Sequence, residues 1–133
     1  MIKHLHLLSI SFLCLWMNSG IAQSNAEKPK SYFTISKSLI NFGEIKVGTT
    51  KTMNVIFTNT GDKPLIISSI YTSCGCTEVD YPKEPFLPGK SGTIKISYNA
   101  TEGEGFFSKN ITVYTNAKNK TEDIKIEGVV IPK

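Results

Sequence analysis

The chain has 133 residues, of which 40% are hydrophobic and 20% are charged, and its formal net charge is +4. This composition is typical of one soluble globular domain with a modest core, and it excludes a disordered chain, a collagen-like chain and a coiled coil. All 15 basic side chains are lysines. Without guanidinium groups to bind phosphates or guanine edges, nucleic-acid binding is disfavoured.

The first 22 residues have the pattern of a secretory signal peptide. Lys3 supplies a positive charge, an apolar run follows, and small side chains precede a predicted cleavage between Ala22 and Gln23. The apolar run is shorter than the roughly 20 residues of a membrane-spanning helix. We therefore predict an exported protein of the periplasm or the extracellular space, with no membrane span after signal removal. Residues 23–31 are polar, which predicts a flexible lead-in.

Residues 32–133 carry the two-residue alternation of β-strands, interrupted by turns rich in Gly, Pro and Asn. An apolar stripe of helical spacing is missing, so we predict a single all-β domain, an antiparallel β-sandwich of about seven strands, with a barrel as the alternative. The mostly apolar middle of segment 64–71 predicts burial on both of its faces. The predicted strands are residues 32–36, 39–45, 51–58, 64–71, 92–98, 106–115 and 122–131.

The predicted mature chain contains no histidine, arginine or tryptophan. The two histidines of the full sequence, His4 and His6, lie in the predicted signal peptide, which excludes His-dependent nucleophilic catalysis and imidazole zinc ligands. Glu102 and Glu104 are the nearest approach to a carboxylate pair, but they share one Gly-rich turn, which predicts that both point into solvent. We therefore predict that the protein is not an enzyme.

Cys74 and Cys76 are the only cysteines after residue 22, and an oxidising compartment favours a disulfide between them. On the chain-entropy model so small a loop stabilises the fold by only about 1.6 kcal/mol. On an extended strand the two Cα atoms would be about 6.7 Å apart, at the outer limit for a disulfide, although Gly75 allows the backbone to bring them closer. Stability alone does not explain the pair.

Metal binding is a further interpretation of this segment. If it is extended, Cys74, Cys76, Glu78 and Asp80 share one face. Two thiolates suit copper(I), whereas a structural zinc site normally has four nitrogen or sulfur ligands. Three interpretations stay open: structural cysteines that are partly buried or closed as a disulfide, a redox-active thiol pair, and a copper site.

Six motifs occur in the order and spacing of one known family: residues 41–48 (NFGEIKVG), 57–61 (FTNTG), 64–70 (PLIISSI), 73–77 (SCGCT), 87–92 (LPGKSG) and 105–113 (GFFSKNITV). Over about residues 33 to 131 the chain resembles the bacterial domain-of-unknown-function family 1573, and the Cys-Gly-Cys element is the most specific motif. The resemblance implies an exported, immunoglobulin-like β-sandwich with a Cys pair at positions 74 and 76. The layout is also similar to sandwich domains of the sperm-protein and cilium-associated type, which are protein-binding modules.

The family carries no established activity, so the resemblance implies a fold rather than a mechanism. We predict a non-catalytic binding or structural module of the bacterial cell envelope, with a protein partner and no cofactor. Its strand edges could pair with an extended partner segment. The alternative is a periplasmic redox or copper-binding protein that uses Cys74 and Cys76, with Glu78 and Asp80 as helpers.

The turns between the strands give three local predictions. Gly61 and Gly89 occupy turn positions that are expected to require positive φ, and the side-chain amide of Asn59 is expected to cap its own turn.

Overall fold

The computed structural model describes residues 30–133. The predicted signal peptide, its cleavage site between Ala22 and Gln23, and all but the last two residues of the lead-in 23–31 lie outside the described residues. The described part is all-β, with eight strands in two sheets. Within this part, the structure contains no helix long and apolar enough to cross a membrane. The prediction of a β-sandwich is confirmed.

Each sheet has four strands. Sheet 1 has the order β1-β3-β6-β5, and sheet 2 has the order β2-β8-β7-β4, in the strand numbering given at the end of this paragraph. All pairings are antiparallel except that of β2 with β8, which is parallel. The chain crosses from sheet 1 to sheet 2 through residues 36–38, so no hairpin fixes the direction of β2 beside β8. The strands are β1 (Phe33–Ile35), β2 (Leu39–Lys46), β3 (Thr50–Asn59), β4 (Ile67–Thr72), β5 (Thr77–Asp80), β6 (Ser91–Asn99), β7 (Gly105–Thr115) and β8 (Thr121–Ile131).

Each of the seven predicted segments overlaps one observed strand, and β5 is the additional strand. It was missed because it is only four residues long and two of them are acidic. The predicted burial of both faces of segment 64–71 is wrong. This segment contributes β4 to the edge of sheet 2, where Ile66 and Tyr71 are exposed and a bulge lies between Ile67 and Ser69. An edge strand with one outward face does not need two buried faces.

The core lies between the sheets, where inward-facing side chains of both sheets meet. On β3, Val55 and Phe57 are buried while Asn54 is exposed, as the two-residue alternation requires. Towards one end of the core the rings of Tyr98 and Phe107 are stacked with their centroids 3.8 Å apart. Tyr98 belongs to β6 and Phe107 to β7, and both strands hydrogen-bond to the segment 73–77 that follows β4. The packed core therefore fixes the position of the strands that hold this segment.

Of the three turn predictions, two are confirmed and one is wrong. Gly89 has the predicted positive φ, at 79°. The prediction for Gly61 is wrong, since its φ is not positive. A side chain at position 61 would instead collide with the backbone of residues 30–32, so close approach of two chain segments requires this glycine. The predicted cap is confirmed, because Asn59 Oδ1 accepts a hydrogen bond from Gly61 N at 3.0 Å.

Candidate functional site

Residues 73–77 form a turn that connects β4, at the edge of sheet 2, to β5, at the edge of sheet 1. Thr77 N donates to Cys74 O at 3.2 Å, which closes the turn. Asn99 N donates to Cys76 O at 2.8 Å and attaches the turn to the end of β6. The Cα atoms of Cys74 and Cys76 are 5.2 Å apart, closer than the roughly 6.7 Å expected on an extended strand.

Cys74 and Cys76 form a disulfide in this turn, and the two residues differ in environment. Cys76 is 8% exposed and belongs to the hydrophobic core, whereas Cys74 is only partly buried. The backbone N–H of Cys76 donates to Cys74 Sγ at 3.1 Å. The Cys74 side is therefore the more accessible to solvent, and a backbone donor already points at its sulfur.

Glu102 and Lys109 complete the site. Glu102 Oε1 is 3.2 Å from Cys74 Sγ, and Glu102 Oε2 accepts a hydrogen bond from Lys109 Nζ at 3.0 Å. A sulfur in a closed disulfide carries no proton, so the first contact becomes a hydrogen bond only when Cys74 is a thiol. Lys109 lies on the same inward face of β7 as the buried Phe107 and Ile111, and its side chain is 24% exposed. The half-buried ammonium thus holds the carboxylate against the disulfide.

Tyr98 shares this electrostatic environment. Burial raises the pKa of the Tyr98 hydroxyl above its ordinary value, nearby Lys109 lowers it, and Glu102 raises it. Because the net direction is upward from 10.0, the phenol is protonated and neutral at physiological pH. Tyr98, Glu102 and Lys109 also line a cleft of about 280 Å³, together with the exposed Phe106. The site therefore combines a disulfide with one ion pair and one neutral hydroxyl group.

The structure does not bring Glu78 and Asp80 to the cysteine pair. Both are exposed on β5, where Glu78 lies opposite Ser97 and Asp80 lies opposite Lys95. The shared face expected of an extended segment does not form, because the backbone turns at Gly75 and Cys76 before β5 begins. Among residues 30–133, one group of three Cys, His, Asp or Glu residues has its ligand atoms within 4.8 Å of one another, and it consists of Cys74, Cys76 and Glu102.

The sequence predicts that Glu102 points into solvent, and its pattern does not place this residue with the cysteine pair. The residue is exposed, but its carboxylate is engaged by Cys74 and Lys109. A signal in the sequence was available: Lys109 occupies an inward position between Phe107 and Ile111, where a charge needs a partner. Finding that partner required the fold, because Glu102 meets Cys74 from 28 positions away.

Replacing the Glu102 carboxylate is expected to make reduced Cys74 more reactive. In reduced Glu102→Gln protein, we expect iodoacetamide to alkylate Cys74 about threefold faster at pH 7, since a nearby negative charge disfavours the thiolate. Peptide mapping by mass spectrometry measures the rate at each cysteine. Glu104→Gln removes the same charge from the same turn and is the matched control. Equal alkylation rates in the two variants would show that the Glu102 contact has no electrostatic effect on Cys74.

The model of a family described as protein of unknown function (DUF1573) matches residues 33–130. No curated protein matches the chain. Among solved structures, the chain is similar to a protein of unknown function from Porphyromonas gingivalis W83, with 19% identity and a TM-score of 0.68. That alignment covers 75% of this chain and 47% of the other, so the chain spans about half the length of that protein.

Two further structures resemble the chain. One is the ASH/PapD-like domain 7 of human CEP192, with 13% identity and a TM-score of 0.63 over 78% of this chain and 88% of that domain. The other is the Escherichia coli chaperone DraB, with 12% identity and a TM-score of 0.54 over 77% of this chain and 56% of the chaperone. At these identities the likeness shows the PapD-like, immunoglobulin-like fold alone.

Proposed function

The chain belongs to the family of proteins of unknown function DUF1573, and from this premise we propose that it is an exported, non-catalytic module that binds an extended segment of a protein partner in the cell envelope. The proposal includes no cofactor. The observation that carries it is β4, an edge strand of sheet 2 that presents Tyr71 with 64% of its surface exposed. A partner strand added along this edge would continue the sheet through backbone hydrogen bonds.

The edge strands differ in whether side chains already form hydrogen bonds with their outward backbone groups. At β1, the Asn119 side chain accepts a hydrogen bond from Phe33 N at 3.0 Å and donates to Phe33 O at 2.7 Å. At β2, Lys51 Nζ donates to Phe42 O. These side chains use groups that an added strand would need. They make β1 and β2 poor docking edges.

The two remaining edges are β4 and β5, on either side of the Cys74–Cys76 turn. The edge strand β5 carries two exposed acidic side chains, Glu78 and Asp80, of the kind that discourages strand addition. The outer face beside β4 is aromatic. Tyr71 lies opposite Thr112 and Tyr114 lies opposite Ser69, so the two tyrosines are diagonal neighbours. Exposed tyrosines are enriched in protein interfaces, which makes β4 the favoured edge.

Export is supported by the predicted signal peptide, and it has its own test. The intact mass of protein purified from the envelope fraction is expected to correspond to a chain that begins at Gln23. A full-length mass, or recovery in the cytoplasmic fraction, would contradict export. The free-thiol count of the same sample is informative, because a closed Cys74–Cys76 disulfide predicts zero free thiols.

Site-specific photo-crosslinking tests the binding edge. A photoreactive phenylalanine analogue is placed at Tyr71, and at Ile56 as a matched control, since Ile56 is also an exposed strand residue but belongs to sheet 1. We expect a defined adduct from position 71 and none from position 56. The cross-linked partner segment, made as a synthetic peptide, is expected to bind purified protein, with affinity at least tenfold weaker for Tyr71→Asp.

Equal adducts at positions 71 and 56, or no loss of peptide affinity in Tyr71→Asp, would contradict the proposed edge. The Cys74→Ser/Cys76→Ser double variant is a second control. We expect it to give the same adduct from position 71, because the partner strand pairs with β4 and not with the disulfide. Loss of the adduct in that variant would favour the redox or copper-binding alternative.

A further inference from the structure

The Cys74–Cys76 disulfide adds little to what already holds its turn in place. The bond joins residues only two positions apart. Backbone hydrogen bonds fix both sides of the turn, since Ser73 N donates to Asn110 O at 3.0 Å and Asn99 N donates to Cys76 O at 2.8 Å. A covalent bond that closes so short a loop in a segment already held restricts the chain very little. The reactivity of the disulfide is therefore a better guide to its role than its contribution to stability.

The environments of the two sulfurs are asymmetric in the way that disulfide exchange requires. Cys74 is partly exposed, while Cys76 is 8% exposed within the core. An incoming thiolate therefore reaches Cys74 Sγ more easily than Cys76 Sγ. The Cys76 N–H at 3.1 Å from Cys74 Sγ stabilises negative charge on that sulfur when it is released. Exchange-active disulfides typically combine such access with a nearby donor.

From this asymmetry we propose that Cys74–Cys76 is an exchange-active disulfide that reacts with dithiols of exported proteins, with Cys74 as the attacked cysteine and Cys76 as the first leaving group. This activity goes beyond the proposed binding role and does not depend on it. It is a stoichiometric transfer of two electrons and two protons from the dithiol to this protein. The co-reactant is the dithiol itself.

The exchange balances in two displacements. First, one thiolate of the dithiol attacks Cys74 Sγ, a mixed disulfide forms, and the Cys74–Cys76 bond breaks with its electron pair on Cys76 Sγ, which takes up a proton from solvent. Second, the other thiol of the dithiol loses its proton and attacks its own partner sulfur in the mixed disulfide. Cys74 Sγ leaves with the electron pair and is protonated. The products are an oxidised dithiol and two thiols on this protein.

Glu102 and Lys109 have a positioning role in this scheme. Glu102 Oε1 lies 3.2 Å from Cys74 Sγ, so a Cys74 thiol at this position can donate a hydrogen bond to the carboxylate that Lys109 holds in place. This hydrogen bond is available only in the reduced state, because the closed disulfide has no proton to donate. It therefore favours the reduced product and the forward direction of the exchange.

A matched pair of single-cysteine variants tests the asymmetry. Reduced Cys76→Ser and Cys74→Ser proteins are mixed with glutathione disulfide, and mixed-disulfide formation is followed by intact-mass spectrometry at pH 7.5. We expect Cys76→Ser, which retains the accessible Cys74, to react at least tenfold faster than Cys74→Ser. Circular dichroism confirms that both variants are folded. Equal rates, or a faster reaction of Cys74→Ser, would overturn the assignment of Cys74 as the attacked residue.

Wild-type protein tests the exchange itself. Oxidised protein is mixed with a reduced peptide that contains two cysteines, and the oxidised peptide is quantified against a disulfide-closed reference peptide of sequence Ser-Cys-Gly-Cys-Thr. We expect one equivalent of peptide disulfide per protein, formed faster than with the reference peptide. Exchange no faster than the reference would overturn the proposal. Either result leaves cross-linking from Tyr71 unaffected, so failure here and failure of the binding proposal are distinguishable.

Discussion

Phe57→Ala is expected to lower the free energy of unfolding by about 4 kcal/mol, because it removes a large ring from a fully packed part of the core. Phe57 is 0% exposed. Its ring stacks on Phe33 with centroids 5.3 Å apart and is T-shaped to the Phe86 ring, with centroids 4.8 Å apart. A side chain at position 92 would collide with the rings of Phe57 and Phe86. Glycine at this position of β6 therefore lets both rings pack directly against the strand. Truncation therefore leaves a cavity among three strands and a loop.

Chemical denaturation measures this loss, and thermal unfolding should show a decrease in Tm of about 20 °C for a domain of this size. Phe106→Ala is the matched control, since Phe106 is a phenylalanine in a strand but is 70% exposed. We expect that control to change stability by less than about 0.5 kcal/mol. If Phe57→Ala and Phe106→Ala had similar stabilities, the core assigned between the two sheets would be incorrect.

Asn59→Ala is expected to cost about 3 kcal/mol, which is large for the loss of one amide. Asn59 is 0% exposed. Its Nδ2 donates to Lys63 O at 2.7 Å and to Phe86 O at 2.9 Å, and its Oδ1 accepts from Gly61 N at 3.0 Å and Tyr32 N at 3.4 Å. One side chain thus joins three chain segments. Alanine would remove all four hydrogen bonds from a fully buried position, and of the two carbonyl groups Phe86 O would keep a donor, Leu65 N. The loss is costly because polar groups that lose their partners inside a fold are not fully compensated.

Two variants make the Asn59 prediction specific. Asn54→Ala removes an exposed amide from the same strand and is expected to change stability by less than about 0.5 kcal/mol. Asn59→Asp keeps the shape and the acceptor but loses both donated hydrogen bonds, so it should destabilise the fold at least as much as alanine does at pH 7. Urea denaturation of all three variants separates these effects. A stable Asn59→Asp protein would show that the donated bonds contribute little.

Most of the strands could be predicted from the sequence because their pattern is local. On β3 and β6, inward Val55, Phe57, Ile94 and Ile96 alternate with outward residues that are polar except for Ile56, and this alternation is visible without any tertiary information. The short strand β5 and the edge position of β4 were not predictable in this way. Whether an apolar segment is central or at an edge depends on which strands lie beside it, which is a property of sheet order.

The sequence by itself determined the all-β class, the β-sandwich and the turn cap by Asn59. It also identified Cys74 and Cys76 as a pair that stability alone does not explain. Tertiary structure alone decided the surroundings of the cysteine pair. It turned the segment at Gly75 and so separated Glu78 and Asp80 from the disulfide, and it brought Glu102 into contact with Cys74. Alternation along one strand follows from backbone geometry, whereas contacts across 28 residues depend on how strands from two sheets meet at one end of the sandwich.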